Sequence, residues 1–212
     1  ASSNLLLTLN YKQGLSPQDI FEEHQKWGSQ LCKKLSIDNT ELLGKKSKNP
    51  LKKIAYVSAD FRSHSVAHFF KPLLESHNQK KYQIYCYYNS AVEDNVSQSL
   101  KALSYQWRNI SSFSDQDLVK QIIDDEIDIL VDLSGHTGKS RLNVFAYRAA
   151  PVQITWLGYP NTTGLPTMDY RITDEEADPK GLSECYYTEK LIRLPCGFLS
   201  FQGDTNATFN ET

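Results

Sequence analysis

The stretch IDILVDLSGHTGKSR, Ile127 to Arg141, decides the fold. Its first half, Ile127 to Leu133, is a near-continuous apolar run, the mark of a strand covered on both faces. Its second half is a turn of small and polar residues in which Gly135 and Gly138 bracket His136 and Thr137. The same strand-then-turn grammar recurs on either side. Upstream, Ile54 to Ser58 runs into SADFRSHSVAH (Ser58 to His68), and Tyr82 to Tyr88 alternates so that Tyr82, Ile84, Cys86 and Tyr88 share one face. Downstream, Val152 to Leu157 runs into WLGYPNTTGLPTMDY (Trp156 to Tyr170), and further short strands fit Tyr170 to Thr173 and Leu191 to Leu194. Between them, helical spacing of apolar residues predicts helices over Val66 to Leu74, around Val92 to Leu103, over Asp115 to Asp125 and over Ser140 to Arg148. Strands separated by helices of about ten residues imply right-handed βαβ units. The fold expected is α/β: a Rossmann-like, mostly parallel sheet with helices on both faces.

Ahead of this domain lies one clear helix. Ser16 reads as its N-cap, Pro17 as its first position and Asp19 as the third residue after the cap. Ile20, His24, Trp27, Leu31 and Leu35 then form a single apolar stripe that must dock on something. The basic stretch Gly44 to Lys53 reads as a linker, which divides the chain into a helical segment, 1–50, and an α/β lobe, 51–212. A length of 212 residues supports a sizeable core without staples, and 40% hydrophobic with 23% charged residues excludes wholesale disorder. A net charge of −2 gives no broad electrostatic footprint for nucleic acid. No apolar run is long enough to span a bilayer, and Leu5 to Leu9 is too short for a secretory leader. Cys32, Cys86, Cys185 and Cys196 are widely spaced without a C-x-x-C, so reduced thiols in a cytoplasmic protein are the expectation.

In open parallel sheets ligands sit beyond the carboxyl ends of the strands, so the three turns should converge on one crevice. In the first, Asp60 leaves a strand and His64 stands at the start of a helix, where the dipole favours a neutral imidazole able to take a proton from a hydroxyl. The same residues also fit a plain helix cap, or, with His68 four positions on, a metal site of the kind a hydrolase uses. Neither G-x-G-x-x-G nor G-x-x-x-x-G-K-[ST] occurs, which argues against a dinucleotide fold signature and a P-loop. The second turn offers small residues and free helix N–H groups to an anion. In the third, Gly158, Pro160, Gly164 and Pro166 shape a long loop of the kind that carries function. Asn161-Thr162-Thr163 and Asn206-Ala207-Thr208 match glycosylation acceptors and are read as chance.

KIAYVSADFRSHSVAHFF, DILVDLSGHTGKSRL and RAAPVQITWLGYPNTTGLPTMDYRITDEEADP resemble the protein O-GlcNAc transferase family, glycosyltransferase family 41, in its SPINDLY-like and bacterial branch with tetratricopeptide repeats. The resemblance covers nearly the whole chain. It implies the helical linker and N-terminal lobe of a two-lobed GT-B enzyme that moves a sugar, with inversion and without metal, from a nucleotide diphosphate to Ser or Thr of proteins. UDP-GlcNAc is the donor expected, and GDP-fucose is the alternative. The C-terminal lobe and the repeats would be separate from this piece, which alone is expected to be inactive. By the same resemblance Asp60 is a proton acceptor, His64 lines the sugar pocket, and Thr137 faces the donor. Leu157, Gly158, Tyr159 and Pro160 close over the sugar, and His136 replaces a tyrosine of animal members. Ser65 and Val66 replace a proline and a threonine, and SSNLLLTLNY lacks the linker histidine of animal enzymes. A metal-dependent hydrolase built on Asp60, His64 and His68, and a non-catalytic interaction module, stand as the other classes.

Overall fold

The computed structural model describes residues 2–35 and 50–203. Two helices come first, α1 (Ser2–Leu9) and α2 (Pro17–Lys34). The lobe then runs β1 (Lys52–Ser58), α3 (Ser65–Ser76), β2 (Tyr82–Tyr88), α4 (Asn95–Leu103), β3 (Gln106–Asn109) and α5 (Asp115–Asp124). It continues with β4 (Ile129–Asp132), α6 (Leu142–Ala146), β5 (Val152–Thr155), β6 (Tyr170–Asp174), a 3₁₀ turn at Glu184–Tyr186, and β7 (Lys190–Leu194). All seven strands are parallel, in the order β3-β2-β1-β4-β5-β6-β7.

The period-2 pattern divides each central strand between two cores. Ala55, Val57, Tyr85, Tyr87 and Leu130 pack on one face against Leu118 and Ile122 of α5 and Val144 and Phe145 of α6. Ile54, Tyr56, Ile84, Cys86 and Tyr88 pack on the other against Phe70 and Leu74 of α3 and Leu100 of α4. Burying both faces requires apolar residues at successive positions, and that is why β4 reads as a continuous run.

The α2 cap is the capping box expected: Asp19 N–H donates to Ser16 Oγ at 3.1 Å, and Ser16 N–H to Asp19 Oδ2 at 2.8 Å. Its stripe docks on the lobe, with Trp27, Leu31 and Leu35 against the core that holds Cys32. Of the Gly44 to Lys53 linker, residues 44–49 lie outside the described residues, and Lys52 and Lys53 open β1. Two elements were not anticipated. β3 is a polar edge strand, and α1 docks through the buried Leu6. The helix expected from Val92 begins at Asn95, because Asp94 caps it through Ser97. No helix among the described residues is long and apolar enough to cross a membrane.

Candidate active site

The strand order turns back between β1 and β4, so the segments leaving these strands part and leave a crevice at their carboxyl ends. The three turns do meet there, around a cleft of about 540 Å³. Asp60, His64, Thr137, Leu157, Gly158, Tyr159 and Pro160 all line it, joined by Arg62, Lys139 and Arg171. His136 does not: it is fully buried behind the wall that Tyr159 forms.

On the β1 side, Asp60 N–H donates to Ser58 Oγ at 2.9 Å, which turns the chain out of the strand. His64 caps α3, its Nδ1 accepting the Val66 N–H at 3.3 Å. With Nδ1 so engaged, the neutral ring carries its proton on Nε2, the atom 4.0 Å from Asp60 Oδ1. Arg62 stands 3.7 Å from the same oxygen. In this tautomer the imidazole presents an N–H to the cleft, so of the two groups the carboxylate is the one with a free acceptor. His68 is exposed and does not line this cleft, and among the described residues no three His, Cys, Asp or Glu side chains are grouped to hold a metal. That removes the geometric support for the hydrolase reading.

The opposite wall is held by buried groups. Asp132, at the end of β4, accepts from Ser134 N–H at 3.1 Å, Gly135 N–H at 2.8 Å and Thr155 Oγ1 at 2.9 Å. Burial raises its carboxyl to about 6 against the pull of these donors. Leu157 sits at φ +74°, a left-handed backbone rare for a branched side chain. Gly158 is required next to it, because a Cβ there would lie 2.0 Å from the Leu133 carbonyl oxygen. From below, Arg171 donates to the carbonyls of Tyr159 at 2.9 Å and Asn161 at 3.0 Å, and its guanidinium lies 5.4 Å from the Tyr187 ring centre. Buried Glu189 accepts from Thr162 Oγ1 at 2.6 Å, Thr163 N–H at 2.7 Å and the Thr163 hydroxyl.

Behind Tyr159 the two N-terminal helices complete the wall. Asn161 Nδ2 donates to Asn10 Oδ1 at 2.9 Å, and Asn10 Nδ2 to Tyr159 Oη at 2.9 Å. The His24 Nδ1–H donates to the Ile20 carbonyl at 2.7 Å, which leaves Nε2 to accept the Tyr159 O–H at 2.6 Å. Beside it the His136 Nε2–H donates to the Thr163 carbonyl at 2.9 Å, while Nδ1 accepts from Ser3 Oγ at 2.8 Å. Trp27 meets the His136 ring edge-on at 4.5 Å between centres. Burial holds both imidazoles neutral, lowering His24 and taking His136 down to about 4. The helix and loop touch backbone to backbone: a Cβ on Gly28 would lie 1.9 Å from the Gly164 carbonyl oxygen. Sequence reading missed Asn10, His24 as a polar partner, Asp132, Arg171 and Glu189. The one available signal was His24, the polar member of an otherwise apolar stripe.

Comparisons with known proteins agree with this architecture. Residues 28–211 match the family described as Glycosyl transferase family 41. Proteins named "Probable UDP-N-acetylglucosamine--peptide N-acetylglucosaminyltransferase SPINDLY" are 37% identical over 209 residues in Solanum lycopersicum and 39% identical over 215 residues in Arabidopsis thaliana. Each match takes in 95% of this chain but 22% of the relative, so the chain spans about a fifth of their length. A solved mutant of the Thermobaculum terrenum O-GlcNAc transferase superposes with a TM-score of 0.89 at 36% identity, covering 97% of this chain and 39% of that one. With the family matched over most of its length, the chain is a member of glycosyl transferase family 41.

Proposed function

We propose that this chain forms one wall of the active site of a protein O-glycosyltransferase that moves GlcNAc from UDP-GlcNAc to Ser or Thr hydroxyls with inversion. The observation that carries this is the meeting of three carboxyl-end turns on one cleft at the switch point, with Asp60 facing into it. The acceptor oxygen attacks the anomeric carbon, the bond from that carbon to the diphosphate oxygen breaks, and the hydroxyl proton passes to the Asp60 carboxylate directly or through water. His64 Nε2–H and Thr137 line the same cleft and would hold sugar hydroxyls. The strained Leu157–Pro160 turn forms the lid side of the pocket. Lys139, on the wall opposite Asp60, supplies positive charge toward the departing diphosphate, a task that then needs no metal, while Arg62 lies beside the Asp60 carboxylate.

The rest of the relatives' length would bring the second lobe, which completes the donor site, and the repeats that hold acceptor protein. This piece by itself is therefore inactive. A cytoplasmic setting is consistent with four unpaired thiols at Cys32, Cys86, Cys185 and Cys196. The test extends the chain by the remaining length of its relatives and assays sugar transfer to peptide with UDP-GlcNAc and, separately, GDP-fucose. Transfer from UDP-GlcNAc alone supports the reading. Transfer from GDP-fucose alone replaces the donor, and transfer from neither removes the proposal.

A further inference from the structure

We infer that His24 is a positioning residue for the reaction, holding the sugar-side wall of the cleft in place through the Tyr159 hydroxyl. The inference rests on the glycosyltransferase reading above. Tyr159 is buried, with its backbone on the cleft wall and its ring folded back against Gly135, where an added Cβ would lie 2.2 Å from the Tyr159 Cβ. The Leu157–Pro160 turn that carries it is not a relaxed conformation, since Leu157 is held at φ +74°. Such a turn keeps its shape only if neighbours over-determine it. One of those neighbours belongs to the helical segment: His24 Nε2 at 2.6 Å accepts the tyrosine proton, while its Nδ1–H is tied to Ile20 of the same helix. Asn10 of the α1–α2 connection donates to the same phenol oxygen, so the hydroxyl has a donor on one side and an acceptor on the other. Removing the acceptor leaves the tyrosine O–H buried without a partner, and moving the ring moves Gly158 and Pro160 with it. The helices ahead of the lobe are thus coupled to the site by a directed bond, in addition to the apolar stripe.

Three variants test this in the chain extended by the second lobe. His24→Phe keeps the ring and removes the acceptor; kcat should fall by about 10²-fold, the size expected for a displacement of ~1 Å, with KM for the acceptor peptide little changed. His24→Gln returns an oxygen acceptor near the Nε2 position and should recover kcat to within about 5-fold of the wild type, a residual deficit of ~1 kcal/mol. Tyr159→Phe breaks the same bond from the other side and reads it even where His24→Phe fails to fold. It should lower kcat by a similar factor, and the double variant should lose no more than either single one. A second readout needs no turnover: amide exchange across residues 157–164 should quicken in His24→Phe and return to the wild-type rate in His24→Gln. Loss of all transfer in the unmodified enzyme would count against the proposed function, and the exchange data would still decide the coupling. A wild-type kcat and exchange rate in His24→Phe, or a His24→Gln variant as impaired as His24→Phe, overturns the inference.

Discussion

The turn after β1 and the turns after β4 and β5 face one another across the same cleft, and they are held in opposite ways. On the β1 side Asp60, Arg62 and His64 are partly exposed and stand 3.7 Å and 4.0 Å apart, too far for hydrogen bonds. On the other side Asp132, His136, Tyr159, Arg171 and Glu189 are all buried, and every one of them is hydrogen-bonded to a residue twelve or more positions away. One wall leaves the charged ends of Asp60 and Arg62 open to the cleft, and the other commits its polar groups to shape. Substitutions should therefore separate by stability: on the first wall they should change rate at nearly constant stability, and on the second they should cost stability, with rate falling too where, as at Tyr159, the cleft turn shifts.

The largest effect expected is on rate. In the chain extended by its second lobe, Asp60→Asn should lower transfer by about 10²–10⁴-fold, the usual worth of a positioned proton acceptor. The unfolding free energy should move by less than about 0.5 kcal/mol, because exposed ion pairs of this length contribute little. Turnover and urea denaturation measured on one preparation check both halves. An equal loss of stability would erase the distinction between the walls.

Next comes Gly28→Ala. In an exposed helix interior this change stabilises by up to about 1 kcal/mol. Here the added Cβ would sit 1.9 Å from the Gly164 carbonyl oxygen, with backbone rather than a movable side chain in the way. The sign should reverse, costing about 3 kcal/mol through overpacking. Denaturant midpoints for this variant beside a Gly138→Ala control, where nothing lies within 4 Å of the added carbon, isolate the contact.

How much of this the chain announced follows the same division. β4 was legible because burial on both faces forces a continuous apolar run, and Asp60 and His64 were legible because they stand next to such strands. β3 was not: Gln106–Asn109 contains one apolar residue, Trp107, and as an edge strand it is held by β2 alone. α1 was hidden because four leucines within the five positions Leu5 to Leu9 show no clear period, and only the docked Leu6 explains them. The second wall was least legible of all. Bonds such as His24 to Tyr159 and Glu189 to Thr163 join positions 135 and 26 residues apart, and no local pattern encodes them. His136 is the instructive case: its turn was read as a ligand-facing loop, but both ring nitrogens are consumed by Ser3 and Thr163.

Two buried groups of the second wall give it opposing pH slopes. Asp132 is raised to about 6, so its contribution to stability is full below the unfolded value near 4 and is lost as pH rises through 6. His136 is lowered to about 4, so its contribution is full above the unfolded value near 6.5 and is lost as pH falls through 4. Each amounts to roughly 3 kcal/mol, and across the shared window the two oppose one another. Asp132→Asn should expose the histidine slope, with stability falling on acidification from pH 6.5 to 4. His136→Gln should expose the other, with stability rising over the same range. Two variants with parallel pH curves would show that neither group titrates as its burial requires.

The smallest effect separates two duties of one residue on the first wall. His64 accepts the Val66 N–H as the cap of α3, and it also presents Nε2–H to the cleft beside Asp60. Asparagine is among the best capping residues and has no imidazole, whereas alanine offers neither function. His64→Asn should therefore unfold within about 0.5 kcal/mol of wild type, and His64→Ala should lose about 1 kcal/mol. Both should slow transfer to the same extent, because the cleft loses the same N–H in each. If His64→Asn transferred sugar at the wild-type rate, the imidazole would be a cap and nothing more, and the β1 wall would rest its chemistry on Asp60 alone.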